Sequence, residues 1–154
     1  MARTLIQGPT QVQEPQTILA EGCKILAAVL EPRGFKFQSD GSAKASGGQV
    51  AGGIFALGAR KLEVHFRFSL GGVWYHLGAQ ASSHEDYMWA RLGLEGGNRY
   101  PDFGDSDPMM AFHDLAYDLE HHAEDFLSGD DAELAARLNC AAARPVPKGL
   151  RSLR

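Results

Sequence analysis

Two groups of side chains in this sequence have types and spacings that could do chemistry. The first lies where Leu62, Val64, Phe66, Phe68 and Leu70 alternate with Glu63, His65, Arg67 and Ser69. Strict alternation is the period of a strand with one buried face. Gly71-Gly72 then suits a two-residue hairpin loop, because glycine tolerates positive φ at both loop positions. Val73 to Gln80 returns antiparallel, and a loop of that length fixes the pairing: 70 with 73, 68 with 75, 66 with 77. Phe66, Phe68, Leu70, Val73, Tyr75 and Leu77 then face inward. Glu63, His65, Arg67, Ser69, Trp74 and His76 face outward, with Arg67 opposite His76 and diagonal to Trp74. Neighbours on one face of a strand pair can touch, and Arg over Trp is a favourable cation–π pair. His65, Arg67, Trp74 and His76 on a wet face suit an anion, a base or a protein partner. The competing reading is a sheet face covered by a helix or by a second subunit.

The second group is Asp114, Asp118, His121 and Asp125. At about 100° per residue on a helix they fall within a sector of roughly 60°, largely opposite the apolar stripe Phe112, Leu115, Leu119, Ala123 and Phe126. Carboxylates with a histidine are divalent-metal ligands, but acids on the wet face of an amphipathic helix are far commoner. We therefore expect a solvated partner-binding face and no bound metal or cofactor.

Other motifs fail on inspection. His84-Glu85-Asp86-Tyr87-Met88 starts like a zinc-protease helix, but Met88 stands where the second histidine belongs. Tyr117 to His121 resembles the inverted form, with Tyr117 in place of its first histidine. Neither brings two imidazoles to one zinc. The glycines from Gly41 to Gly58 precede no Gly-Lys-Ser/Thr, and no G-x-S-x-G elbow occurs. Asp102, Asp105 and Asp107 form a weak calcium-like pattern without the glycine and glutamate of an EF-hand loop. Cys23 and Cys140 make neither a disulfide framework nor a metal spacing, which fits reduced thiols in a cytoplasm.

Charge is unevenly distributed behind a net of −4. Residues 1–100 hold ten Lys/Arg and eight Asp/Glu; residues 101–136 hold eleven acids and no Lys or Arg; residues 137–154 hold five Lys/Arg and no acid. The acidic block should repel nucleic acid and speed encounter with basic partners.

These groups need a scaffold to position them. A chain of 154 residues with 44% apolar content is enough for one globular domain. Its longest unbroken apolar run is Ile25 to Leu30, against about 20 residues for a membrane span. No apolar leader segment is visible at the start, so a cytoplasmic location is expected. Residues 1–16 read as an irregular arm, 17–143 as the domain and 144–154 as a flexible basic tail. Helical spacing predicts a first helix over 17–31, with Gly22 marking a close packing contact. Strands follow near 35–38 and 49–57, separated by a loop over 40–48. After the hairpin come a short helix over 84–92 capped by Ser83, a long one over 108–127 capped by Asp107, and a last one over 131–143. Strands grouped before helices indicate an α+β fold, an antiparallel meander of about four strands with helices on one face.

Three segments, in order, resemble a group of small bacterial α+β domains of uncharacterised function, some associated with toxin–immunity loci. They are Ile25-Leu-Ala-Ala-Val-Leu-Glu-Pro-Arg-Gly-Phe35, Arg91-Leu-Gly93, and the helix over 112–127 followed by Ser128-Gly-Asp130. The resemblance spans 18–135 and implies no catalytic residue. With the acidic block it points to a non-enzymatic inhibitor or escort of a basic protein. The alternatives are a small enzyme using the hairpin face and a self-assembling phage or secretion component.

Overall fold

The computed structural model describes residues 15–45, 48–102 and 107–145. Most of the expected arm and tail, and Asp105, lie outside the described residues. Helix α1 (Pro15–Leu30) runs into a single 3₁₀ turn over Glu31–Arg33. Gly34, at φ 99°, ends it by accepting a left-handed backbone that a side chain would resist. Five strands then form a fully antiparallel meander in sequence order: β1 (Lys36–Ala45), β2 (Gly48–Leu57), β3 (Arg60–Phe66), β4 (Leu70–Leu77) and β5 (Gln80–Ser83). Helices α2 (His84–Leu92), α3 (Pro108–His122), α4 (Glu124–Leu127) and α5 (Asp131–Ala142) complete the fold.

The α+β class holds, with one strand more than expected. The extra strand is β5, where Gln80–Ser83 turns back to pair with β4. At Asp40–Gly48, expected as a loop, β1 and β2 continue pairing out to Ala45 and Gly48. Glycine and serine suit a loop by local preference, but the ladder overrides it at the cost of one irregularity between Ser39 and Gly41.

The β3–β4 register also differs. The chain turns at 67–69, not at Gly71-Gly72, and pairs Leu62 with Tyr75, Val64 with Val73 and Glu63 with Trp74. The shift from the expected pairing is an even number of residues. It therefore leaves each strand's own alternation of faces intact, which is why alternation does not choose between the two registers. The loser is Phe68, expected inside and found 81% exposed in the turn. Gly72 is a strand residue paired with His65, and the Trp74 ring lies over it; a Cβ there would sit 2.3 Å from that ring. Among the described residues, two-residue loops occur at the near-repeats Leu57-Gly-Ala-Arg60 and Leu77-Gly-Ala-Gln80, whose Gly58 and Gly78 both take φ 60°.

The helices pack on one face of the sheet. Leu19, Leu26 and Leu30 of α1, Phe112, Leu115 and Leu119 of α3, and Leu134 and Leu138 of α5 join Phe55, Leu62, Val64, Phe66, Val73 and Tyr75 in one core. Gly22 is the expected close contact: a Cβ there would lie 2.4 Å from the Phe112 ring. The expected long helix breaks at Ala123, whose φ of −118° leaves helical geometry, and α4 makes a corner before α5. A capping box between Asp130 and Glu133 starts α5. Among the described residues, no helix is long and apolar enough to cross a membrane.

Candidate functional site

The expected acidic face of the long helix does not exist as one surface. Asp118 has no exposed area and Asp125 is buried, because each is covered by elements that supply it with donors: α2 and the chain after it for Asp118, α2 and α5 for Asp125. Asp114 is half-buried. His121 is exposed, stacked on Tyr117 at 4.0 Å with Nδ1 donating to the Tyr117 carbonyl.

Asp118 organises the first internal cluster. It accepts from the backbone N–H of Arg99 at 2.7 Å and of Tyr100 at 2.9 Å, fastening the chain that follows α2. Its third partner is His84 Nε2 at 2.9 Å, while His84 Nδ1 lies 2.7 Å from the Tyr75 hydroxyl. A carboxylate holding two N–H groups is an acceptor, so Nε2 must donate. In the tautomer with its proton on Nε2, Nδ1 accepts from the Tyr75 hydroxyl. Burial, with the nearby Tyr87, Asp118 and Asp125, raises the Tyr75 hydroxyl well above the ordinary tyrosine value. A Tyr–His–Asp chain is the pattern of acid–base machinery. Here both ends are buried and every link is spent on internal structure. His84 itself borders a small cavity of about 180 Å³ with Trp74, Ser83 and Tyr100.

Asp125 organises the second cluster. It accepts from the Tyr87 hydroxyl and from Arg137 Nε at 2.8 Å. Burial and the Asp125 contact both push the Tyr87 hydroxyl upward. Arg137 also donates to the Ala90 carbonyl, and Arg91 to the His122 carbonyl, both at 2.7 Å, tying the end of α2 to α5 and to the end of α3. Tyr75 and Tyr87 stack at 4.3 Å between the two clusters. Arg60, at the start of β3, reaches the same corner from the sheet. It donates to the carbonyls of Asp125, Phe126 and Gly129 and pairs with Asp131 at 3.0 Å. A cleft of about 630 Å³ opens here, lined by Arg91, Glu124, Asp125, Glu133 and Arg137 among others.

The outer face of the hairpin gathers His65, Trp74 and His76, but around Glu63 instead of Arg67. Glu63 Oε2 lies 2.6 Å from His65 Nε2, and Oε1 lies 2.8 Å from His76 Nε2. His65 meets the Trp74 ring edge-on at 5.5 Å. Partial burial pushes the Glu63 carboxyl up, but the two histidine contacts outweigh it and hold it below the ordinary glutamate value. Arg67, expected opposite His76, sits in the turn beyond β3, where its guanidinium carbon is 5.2 Å from the Phe68 ring centre. The register shift is the reason: His76 pairs with Lys61. Among the described residues, no group of three His, Cys, Asp or Glu side chains is placed to hold a metal ion. Burial raises the Cys23 thiol to about 12, so it is inert.

No known protein family, characterised protein or solved structure matches this chain.

Sequence reasoning misses Arg60, His84, Tyr87 and Arg137. His84 and Tyr87 carried a signal, since both lie in the short helix capped by Ser83 and three or more residues apart share a face. Arg60 carried none, because its partners are 65 to 71 residues away in sequence.

Proposed function

We propose that this protein is a non-enzymatic binding protein, an inhibitor of the immunity kind or an escort, whose partner is a basic protein. The observation that supports this is the division of its acids. Asp118 and Asp125 turn inward, whereas Glu120, Glu124, Asp130, Asp131 and Glu133 stay exposed along the end of α3, α4 and the start of α5. Exposed carboxylates of one sign beside a cleft give a field that favours a basic surface and speeds its approach. The buried Tyr75–His84–Asp118 chain is held by internal bonds, which fits a structural role better than turnover. The resemblance to small bacterial α+β domains of uncharacterised function, some associated with toxin–immunity loci, points the same way.

The test uses the full chain as bait in lysate of its source, at low and high salt. The captured protein is then purified and its affinity measured against wild type and the Glu120→Lys/Glu124→Lys variant. A basic partner whose binding weakens at least about tenfold with the variant, and also with salt, supports the reading. A partner held equally by both proteins at both salts overturns it.

A second reading rests on the uncovered sheet face, where Trp74 keeps 38% of its surface exposed. Such a face suits self-association into an assembly. Light scattering across a wide concentration range tests it, and a monomer at the highest concentration refutes it.

A further inference from the structure

Among the described arginines whose N–H groups are turned into the fold, one lacks acceptors. Arg60 is saturated by carbonyls and a carboxylate, and Arg137 by Asp125 and the Ala90 carbonyl. Arg67 is different. Its Nε and Nη2 are closed to solvent and neither has a hydrogen-bond partner, a state shared among the described side chains only with His122 Nε2. Nε and Nη2 lie on one edge of the guanidinium plane. That edge is a fork that grips a carboxylate through two parallel N–H···O bonds. N–H groups withdrawn from water without an acceptor are unfavourable, and an anion seated on them relieves the penalty.

Beside this group lies a groove of about 280 Å³ whose walls include His65, Phe66, Arg67, Phe68, Gly72 and Trp74. Phe68 is 81% exposed, a large ring left in water. Trp74 lies across the Cβ-free surface of Gly72. Exposed rings next to an orphan fork define two requirements of a ligand: a flat apolar body to cover the rings and a planar anion for the fork. The volume is small beside drug-sized pockets of roughly 300–1,000 Å³, which limits the body to a single ring.

We propose that the β3–β4 turn binds a small aromatic carboxylic acid, its carboxylate on Nε and Nη2 of Arg67 and its ring between Phe68 and Trp74. Phe68 is the side chain that swings aside to admit it. This site shares no residue with the acidic corner proposed for the protein partner, so either can fail alone.

Phenylacetate is the probe, with phenylacetamide (no charge) and acetate (no ring) as controls. The readouts are the Nε–Hε resonance of Arg67 in ¹⁵N spectra and Trp fluorescence. Phenylacetate should shift the Arg67 resonance saturably, with the amide and acetate each at least about tenfold weaker. Arg67→Gln should abolish the fluorescence response while near-UV circular dichroism shows a folded protein. Phe68→Ala, at an exposed position, should weaken binding yet keep the Arg67 shift, and it keeps the test alive if the Arg67 variant misfolds. No Arg67 shift with millimolar phenylacetate overturns the proposal. So does an equal response to acid and amide, or an unchanged response in Arg67→Gln.

Discussion

Asp118→Ala separates the two accounts of the acidic helix. On a solvated face, removing a carboxylate changes stability by no more than about 0.5 kcal/mol. In the structure Asp118 has no exposed area and holds three donors: His84 Nε2, Arg99 N and Tyr100 N. Each buried donor left unsatisfied costs about 1–3 kcal/mol. Arg99 is exposed, so its N–H finds water and contributes little; Tyr100 and His84 are buried, so their groups do not. Two stranded donors give about 2–6 kcal/mol, which brackets the roughly 3–5 kcal/mol seen when one partner of a buried pair is removed. We expect a loss of about 4 kcal/mol. Urea unfolding followed by Trp fluorescence reads it directly, since a slope near 2 kcal/mol/M moves the midpoint down by about 2 M. His84→Leu should lose less after Asp118→Ala than alone, with a coupling of about 1 kcal/mol or more. A single-variant loss under about 1 kcal/mol would refute the buried network.

Gly22→Ala should destabilise, against the gain of about 1 kcal/mol that alanine brings to a helix interior. The new Cβ would lie 2.4 Å from the ring of Phe112, which is fully buried and has no room to yield, so overpacking of about 1–3 kcal/mol wins. Thermal unfolding reads the sign, and a raised midpoint contradicts the packing of α1 on α3. Arg60→Met strands the carbonyls of Phe126 and Gly129, so it should cost about 2–4 kcal/mol. Hydrogen exchange should then speed up first at 124–134; uniform acceleration would contradict a local clamp. At high pH, Tyr75, Tyr87 and Tyr100 should ionise only on unfolding, since burial raises all three and takes Tyr100 to about 12. Their contribution is complete below the ordinary value of 10.0 and is lost as pH rises above it. In a Tyr117→Phe background, which leaves only these three tyrosines, tyrosinate absorbance should rise together with loss of near-UV circular dichroism; absorbance rising first refutes the buried network.

The sequence by itself determined the α+β class, the inner faces of β3 and β4 apart from Phe68, the caps at Ser83 and Asp107, and the close contact at Gly22. These are local matters: periodicity assigns faces, and a cap needs only its own first turn. Tertiary structure decided the hairpin register, because an even shift leaves each strand's alternation unchanged and only pairing with β2 and β5 breaks the tie. It decided the acids for a similar reason. Helical spacing places Asp114, Asp118, His121 and Asp125 in one sector, but the break at Ala123 rotates Asp125 out of it, and His84 draws Asp118 inward from 34 residues away. Whether a carboxylate meets water or a histidine depends on what packs against its helix, and that partner is set by the fold of the whole chain.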